Sequence, residues 1–540
     1  MTPHSTAPSL DPAAAAAPAP TGESPLAELE RRRAAALKMG GDEAVAKWRE
    51  KGRMTARERI DALADPGSFQ ELGTLTGKGD YSADGELRSV TPSNCVMGRA
   101  EAAGAPVMVV ADDFTIRGGS SEAAVADKWI YAERMAHEFR MPLVRLVDSA
   151  GGSVKVLEQA GRTKIPGYPL LPSTALMGIA PVASVAFGAC VGLGAVRAIG
   201  AHFSVMVKGQ AQVFAAGPPV VKQGLGHDVT KEELGGSDVC TRVSGVINNA
   251  ADTELDALQQ VRSFLSYLPP NSWRLPTRAV AGNNPKCADT DLDSLIPNDR
   301  RKAYKSRRIA EAVFDRASVF EISPLFGASV RTLLARLDGY AVGAMLNDPS
   351  IMGGALTRAA GQKIERFVDL CDSFNLPIVN LVDQPGVMIG AEAERAGTLL
   401  AAARAGAAIE QVTVPWVSVV VRRAFGVAGS MLGPWQGPAG SSLNHRFAWP
   451  TARWGSIPIE GGVAAAYKRE IEAAPDPAAH REDLERRYQR LASPFRTAEA
   501  FGVVDIIRPS ETRAVLCRWV ADAYRLLETQ SLGPKRRTMR

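Results

Sequence analysis

Two kinds of glycine-bearing loop, each following an apolar run, are the features of this sequence best suited to do chemistry. The first kind contains Gly118-Gly119 and, later in the chain, Gly353-Gly354. The second contains Gly192-Leu193-Gly194 and, later, Gly426-Val427-Ala428. Small residues at the start of a helix let another molecule approach the backbone closely, and the free N–H groups there favour negative charge. Two converging N–H groups are suited to hold a carbonyl oxygen that becomes an enolate.

An apolar run precedes each of these loops and is expected to position it. Val107–Val110 precedes the first kind of loop, and Val182–Phe187 precedes the second. Between them a helix is predicted over about Ser121–Phe139 and another buried strand over Pro142–Val147. Apolar runs that alternate with helices predict a parallel sheet with helices packed on it.

The same order of elements returns in the second half of the chain. Strands are predicted at Tyr340–Leu346, Pro377–Val382 and Val417–Val421, and a helix at about Ala355–Phe374. Each predicted strand is again followed by a polar or glycine-bearing loop. The sequence therefore predicts one α/β unit that occurs twice.

The two series align without a gap over most of their length. Many residues 235 positions apart are identical, including the pairs Asp113/Asp348, Gly118/Gly353, Gly119/Gly354, Lys128/Lys363, Phe139/Phe374, Pro142/Pro377 and Asp148/Asp383. In the last segment the offset between the two series falls to 234 positions, so that Gly192-Leu193 aligns with Gly426-Val427. So many identities in one window predict a duplicated domain.

The bulk properties are those of a globular chain in a reducing compartment. Of the 540 residues 46% are apolar and 22% charged, and the net charge is only +5, so nothing favours a nucleic-acid role. None of the six cysteines forms a C-x-x-C pair, and no apolar run reaches about 18 residues. We therefore expect a cytoplasmic protein without a membrane span, with residues 1–25 as a disordered tail.

Other catalytic devices find little support in the sequence. Gly192-Leu193-Gly194 lacks the rest of a dinucleotide fingerprint, and there is no P-loop and no G-x-S-x-G elbow. The histidines are too scattered to predict a metal centre. Asp148 and Asp383 end predicted buried strands, where they are expected to organise loops rather than act as an acid/base pair.

Several further stretches resemble the carboxyltransferase (β) subunit of biotin-dependent acyl-CoA carboxylases, the propionyl-CoA and methylcrotonyl-CoA carboxylase group. The resemblance runs from about residue 26 to residue 530. The stretches that carry it are Thr55–Leu63, Asp113–Ser120, Ala216–Lys222, Glu233–Gly236, Phe374–Val379, Trp449–Ala452 and Asp505–Pro509.

The resemblance implies an α/β fold of two tandem crotonase-type (ClpP/crotonase) domains related by internal duplication. The acyl-CoA side corresponds to an N-terminal domain at residues 26–285 and the biotin side to a C-terminal domain at residues 286–530. Residues 531–540 are then a basic tail. In such enzymes carboxybiotin releases CO₂, the second-half hole holds the biotin enolate, and biotin nitrogen takes the α-proton of the acyl-CoA. The thioester enolate, held by the first-half hole, then attacks CO₂.

The resemblance also implies partners that this chain does not itself supply. Nothing in it resembles a biotin-acceptor segment or a biotin carboxylase domain. Biotin is therefore expected on a partner, a biotin carboxylase and biotin carboxyl carrier (α) subunit. The substrate is expected to be a coenzyme A thioester, no metal is expected in this chain, and the assembly is expected to be a homo-hexamer.

Carried over by position, the family's first-half Gly-Gly falls on Gly192 and Leu193, and its second-half Gly-Ala falls on Val427 and Ala428. Each pair differs from the family at one residue, Leu193 or Val427, and either replacement keeps its backbone N–H group. The substrate is expected to lie against the neighbouring glycine loops and the acyl-choice position, that is Gly118, Gly119, Gly353, Gly354, Gly426, Gly429 and Ser430. Gly429 stands where the family has an aromatic residue, which predicts more room. The loop after Asp148 also departs from the propionyl-type pattern.

Three alternatives remain open at this point. The first is a biotin-dependent decarboxylase subunit with a membrane partner, because the same holes serve both directions. The second is a non-biotin crotonase-type hydratase or thioesterase, which predicts a catalytic carboxylate beside the acyl hole. The third is a non-catalytic scaffold, suggested by Leu193 and Val427.

Overall fold

The computed structural model describes residues 24–163, 173–280, 290–297, 302–436 and 445–535. These residues form two compact units. The first contains the described residues up to Leu176 together with Val182–Ser237 and Ala250–Arg262; the second contains Met177–Pro181, Asp238–Asn249 and the described residues from Ser263 onward. The domain boundaries given above stay predictions.

Some of the predictions fall outside the described residues. They concern nearly all of the tail at 1–25, the last five residues of the basic tail, Cys287, and residues 164–172 of the loop after Asp148.

The first half of the chain builds one large sheet and a small hairpin. Its strands are β1 Gln70–Leu72, β2 Gly77–Tyr81, β3 Leu87–Pro92, β4 Cys95–Ala102, β5 Ala105–Asp112, β6 Leu143–Ser149, β7 Val182–Val191, β8 Phe203–Val207, β9 Gln212–Phe214 and β10 Asn249–Ala251. The large sheet has the order β1-β4-β5-β6-β7-β8-β10, with β9 paired to β7, while β2 and β3 pair with each other.

The second half builds a sheet of the same plan. Its strands are β11 Phe320–Ile322, β12 Val330–Leu337, β13 Tyr340–Asn347, β14 Ile378–Gln384, β15 Trp416–Phe425, β16 His445–Ala448, β17 Arg453–Gly455 and β18 Asp505–Ile506. Their order is β11-β12-β13-β14-β15-β16-β18, with β17 paired to β15. Two outer pairs in each sheet are antiparallel and the central pairs are parallel.

Helices cover these sheets. In the first half they are α1 Pro25–Leu37, α2 Asp42–Glu50, α3 Ala56–Leu63, α4 Ala126–Glu138, α5 Lys155–Ala160, α6 Ser173–Leu176, α7 Leu193–Ile199, α8 Pro218–Leu225, α9 Lys231–Gly235 and α10 Glu254–Ser266. In the second half they are α11 Ser306–Val313, α12 Arg358–Ser373, α13 Ala391–Arg395, α14 Thr398–Glu410, α15 Gly426–Ser430, α16 Ile459–Ala466, α17 Lys468–Ala473, α18 Pro477–Leu491, α19 Pro494–Glu499 and α20 Thr512–Glu528.

The predicted duplication is confirmed strand by strand. Met108 pairs with Leu143 in the first sheet and Gly343 with Ile378 in the second, a constant shift of 235. In the next pair of strands, Leu143 pairs with Val182 in the first sheet and Ile378 with Trp416 in the second. Val182 and Trp416 are 234 positions apart, one fewer than before. The one-residue slip seen in the sequence is therefore real. The predicted α/β fold of two crotonase-type units is correct.

Two predicted strands, β7 and β15, extend furthest past the ends of their apolar runs. β7 continues four residues beyond Phe187, and β15 continues four beyond Val421. The reason is non-local: the extra residues pair with β9 and β17, two short strands that come later in the chain. A glycine-containing stretch that looks like a loop thereby becomes strand.

Three helix starts show how far local signals determine where a helix begins. Thr55 and Glu58 have the three-residue spacing of a capping box, and they form one at the start of α3. The helix predicted from Ser121 begins only at Ala126, because Ser120 forms an extended bridge with Gly151. α12 likewise begins at Arg358, where the Thr357 hydroxyl accepts the N–H of Ala360.

A buried ion pair fixes the last helix of the second unit. Arg513 in α20 donates to Asp315 at 2.6 Å and to the Val313 carbonyl at 2.8 Å, and both partners of the ion pair are almost completely buried. The Asp315 carboxylate also accepts the N–H groups of Asp338 and Gly339. Removing the arginine leaves a buried carboxylate without its counter-charge.

Arg513→Met is therefore expected to lower the free energy of unfolding by about 3–5 kcal/mol, because a buried charge loses its partner. Arg525→Met on the same helix is the control: its exposed pair with Asp522 is worth about 0–1 kcal/mol. Urea unfolding followed by circular dichroism measures both. Equal midpoints for the two variants would contradict this account of the buried pair.

Candidate active site

The Gly118-Gly119 and Gly353-Gly354 loops have the same backbone. Gly118 lies at φ 61° and ψ 28°, and Gly353 at φ 64° and ψ 9°. In each loop the second glycine donates its N–H three residues back, Gly119 to Ile116 and Gly354 to Ile351. Both turns need the left-handed conformation, which glycine adopts without steric cost.

The two glycines of each pair have different structural roles. A Cβ on Gly119 would lie 2.3 Å from the Asp148 carbonyl oxygen, and one on Gly354 would lie 3.2 Å from that of Asp383. The second glycine therefore lets the loop pack on the end of β6 or β14. A Cβ on Gly118 or Gly353 would meet no atom closer than 3.7 Å. The first glycine leaves open space beside the loop.

The strand-to-helix turn at Gly192 begins α7. Gly192 lies at φ 56° and ψ −114°, and its carbonyl accepts the N–H of Val196 at 3.1 Å. Its own N–H donates to the Phe214 carbonyl at 3.3 Å. The N–H groups of Leu193 and Gly194 belong to the first turn of α7, where a helix offers no acceptor.

The equivalent turn in the second unit begins α15. Gly426 lies at φ 63°, and Val427 and Ala428 follow in the first helical turn. The Val427 side chain is 66% exposed. Ser430, the predicted acyl-choice residue, donates its hydroxyl to the Val427 carbonyl at 2.6 Å.

The structure corrects the prediction that Gly429 makes room. Gly429 is buried, and a Cβ placed on it would lie 2.4 Å from the Ala424 carbonyl carbon. Backbone atoms of β15 occupy the space that a larger side chain would need. Gly429 therefore leaves no open space at this turn.

The strand-end carboxylate of Asp383 organises the neighbouring glycine loop, as the sequence predicted. Asp383 accepts from Tyr304 at 2.9 Å and from Arg423 at 2.6 Å, and Arg423 also donates to the Gly353 carbonyl at 2.7 Å. One carboxylate thus links the end of β14 to β15 and to the glycine loop. Arg422 donates to the same carboxylate at 3.0 Å.

Asp148 has a different set of partners. Arg59 donates to it at 3.0 Å and is bidentate to Glu254 at 2.8 and 2.9 Å, with all three side chains buried. Burial raises the pKa of Asp148 to about 6, although Arg59 acts in the opposite direction. Sequence reasoning missed Arg59 and Glu254. The available signal was an arginine on the buried face of α3.

Comparison with known proteins identifies the family. The family described as "Carboxyl transferase domain" matches residues 47–538. The chain belongs to this carboxyltransferase family. The prediction of a carboxyltransferase is thereby confirmed.

Similar proteins cover nearly the whole carboxyltransferase chain. The propionyl-CoA carboxylase carboxyltransferase subunit of Haloferax mediterranei is 34% identical over 96% of this chain and 99% of its own. The methylmalonyl-CoA decarboxylase subunit alpha of Veillonella parvula is 32% identical over 92% of this chain and 95% of its own. These names favour the carboxyltransferase prediction over a crotonase-type hydratase or thioesterase.

Solved structures agree with the assignment. The transcarboxylase 12S subunit, described as a hexamer and solved with methylmalonyl-coenzyme A and methylmalonic acid bound, is 30% identical. It matches with a TM-score of 0.82 over 95% of this chain and 96% of its own. A single-chain, multi-domain long-chain acyl-CoA carboxylase is 26% identical, with a TM-score of 0.78 over 93% of this chain and 50% of its own.

The described ranges of the carboxyltransferase contain neither a cluster of metal ligands nor a membrane-spanning helix. No three His, Cys, Asp or Glu side chains gather there as metal ligands. No helix within those ranges has the length and apolar character needed to span a membrane.

The close packing at Gly429 gives a test of the turn at α15. Gly429→Ala is expected to lower kcat/KM by on the order of 100-fold, because the added Cβ displaces α15 and small displacements in a site are costly. Gly461→Ala in α16 is the control, since its Cβ would meet nothing within 4 Å. Steady-state kinetics and thermal unfolding measure both variants. Full activity in Gly429→Ala would show that the turn tolerates the shift.

Proposed function

We propose that this chain is the carboxyltransferase subunit of an acyl-CoA carboxylase whose substrate is a short acyl-CoA larger than acetyl-CoA. Propionyl-CoA is the first candidate. The observation that carries the proposal is the duplicated turn from a buried strand into a helix, at Gly192 and again at Gly426. Each turn offers two backbone N–H groups where an enolate oxygen needs them.

In the first unit the proposed donors are the N–H groups of Leu193 and Gly194. The sequence-based pair was Gly192 and Leu193, but Gly192 already donates to the Phe214 carbonyl. Leu193 and Gly194 are also the positions that correspond to Val427 and Ala428 under the shift of 234. Gly192 then serves as the left-handed residue that turns the strand into α7. This hole receives the thioester oxygen of the acyl-CoA.

In the second unit the proposed donors are the N–H groups of Val427 and Ala428, which receive the ureido oxygen of biotin. The site fits a neutral urea: its donors are backbone groups at an exposed helix start, and the nearby Arg422 and Arg423 are already bonded to Asp383. When bound, carboxybiotin supplies CO₂ and afterwards a nitrogen base. The residues of this chain bind and orient the two reactants, so no side-chain base is needed.

The names of similar proteins support the substrate. Propionyl-CoA carboxylase β chains of mouse and human are each 33% identical to this chain, and the transcarboxylase 12S subunit of Propionibacterium freudenreichii is named for methylmalonyl-CoA. Since Gly429 provides no extra room, nothing at that turn favours a longer acyl group. Carboxylation rather than decarboxylation is the proposed direction.

The proposed partner is a biotin carboxylase and biotin carboxyl carrier subunit, and the proposed assembly is a homo-hexamer. Exposed apolar side chains on the loops that follow β6 and β14 support an interface there: Val154 is 79% exposed and its counterpart Ile389 is 83% exposed. We also propose a cytoplasmic location, supported by five described cysteines that are buried thiols.

Leu193 gives a direct test of the proposed first hole. Leu193→Pro removes one N–H at the first helical position, where proline is well tolerated, and is expected to lower kcat by on the order of 100- to 1000-fold. Leu193→Gly restores the family residue, keeps the N–H and is expected to retain activity. A comparable loss of kcat in both variants would show that activity depends on the Leu193 side chain and not on its N–H group.

The overall function is tested with the complete enzyme. The chain is co-purified with its biotinylated partner, and ATP- and bicarbonate-dependent carboxylation is measured for acetyl-, propionyl-, butyryl- and methylcrotonyl-CoA. The expected result is the highest kcat/KM with propionyl-CoA. Absence of carboxylation with every acyl-CoA, or decarboxylation alone, would overturn the proposal.

A further inference from the structure

A small cavity lies inside the second unit, beneath the helix that carries the proposed biotin-side donors. Ala428 and Met431 form part of its wall, and β14 and α12 contribute Asn380 and Ile364. Its volume is about 40 Å³, whereas a single water needs roughly 10–15 Å³ on this measure. The cavity therefore has room for a molecule of about three heavy atoms. Ala428 belongs to the cavity wall and also to the proposed hole.

The wall is mostly aliphatic and sulfur-containing, with three amide side chains and no charged one. Asn347 is bonded through both its NH₂ and its carbonyl: it donates to the Gly354 carbonyl and accepts the Asp383 N–H, both at 3.1 Å. Gln384 accepts the Gly386 N–H at 3.0 Å, and its NH₂ group has no protein acceptor among the described residues.

Asn380 is the group that points to a ligand. Its side chain is only 8% exposed, yet its amide has no hydrogen-bond partner within the described part of the chain. A buried amide without a partner costs free energy unless something in the cavity bonds to it. Asn380 and Gln384 both lie on β14 and both line the cavity. The cavity therefore offers two NH₂ donors and one carbonyl acceptor.

The first unit has no such neutral interior. The counterparts of Asn347, Asn380 and Met431 are the charged residues Asp112, Arg145 and Arg197. The β-ladder confirms one of these correspondences, because Arg145 pairs with Ser184 as Asn380 pairs with Ser418.

Those charged residues are paired inside the first unit. Arg197 donates to Asp112 at 2.9 Å, and Arg145 donates to Glu133 at 2.9 Å. One copy of the duplicated unit thus contains buried ion pairs at these positions, and the other contains amides and a cavity. The difference lies on the side where the proposed function releases CO₂.

We propose that this cavity binds CO₂ during the transfer, an inference that rests on the proposed function. A cavity without charged side chains disfavours bicarbonate or a carboxylate, because a buried ion needs a partner. CO₂ is neutral and has three heavy atoms. Its two oxygens accept N–H bonds from Asn380 and Gln384, and its electron-poor carbon faces an amide oxygen. Held beside Ala428, it stays close to the hole instead of escaping to solvent.

The direct test uses crystals of the full chain pressurised with CO₂, compared with crystals kept under nitrogen. The expected result is linear density between Asn380 and Gln384 that appears only under CO₂. Asn380→Leu, which keeps the branched arrangement of four side-chain heavy atoms and removes the amide, is expected to lose that density. Ile378→Val on the same strand, outside the cavity wall, is expected to keep it. Water density alone under CO₂ would overturn the inference.

A second measurement uses the complex with the biotinylated partner and counts ATP consumed per acyl-CoA carboxylated. Asn380→Leu is expected to raise this ratio several-fold, because released CO₂ escapes, while Ile378→Val leaves it unchanged. Equal ratios in the two variants would overturn the role of the cavity.

The two proposals fail in different ways. Carboxylation without CO₂ in the cavity would contradict only the present inference. CO₂ in the crystals of a protein that carboxylates no acyl-CoA would contradict only the proposed function.

Discussion

The abrupt passage from a buried strand into a helix at Gly192 and Gly426 is the constraint on which the candidate site depends. The strands before them are buried on both faces, so the point at which each chain leaves the sheet is fixed. Both glycines have positive φ, which lets the helix begin at once. The N–H groups of the first turn are then left without acceptors inside the helix.

Around that shared turn the two units have diverged in their interiors. The first unit contains buried ion pairs such as Arg197 with Asp112, whereas the second has Met431 and Asn347 at these positions. Replacing a buried ion pair by neutral side chains is often compatible with stability, because the desolvation of both charges is avoided. One scaffold can therefore present similar backbone donors above two different interiors.

The strand-end carboxylates show how side chains support a site made of backbone groups. Asp383 gathers Tyr304, Arg422 and Arg423, and Arg423 extends the network to the Gly353 carbonyl. Asp148 instead joins Arg59 and, through it, Glu254. Both networks are buried, where hydrogen bonds to charged groups are strong and unpaired charges are costly. Each network thus holds the end of a central strand, β6 or β14, in the interior of its unit.

The sequence by itself determined the duplication, the parallel strands, the capping box at Thr55 and the glycine turns, because each depends on local residue types and their spacing. Only the tertiary structure decided where β7 and β15 end, since those ends pair with strands that come later in the chain. It alone decided that the Gly192 N–H is engaged, that Gly429 closes space, and that Asn380 faces a cavity. Each of these depends on which distant atoms come within a few ångströms, and residue spacing along the chain does not specify that.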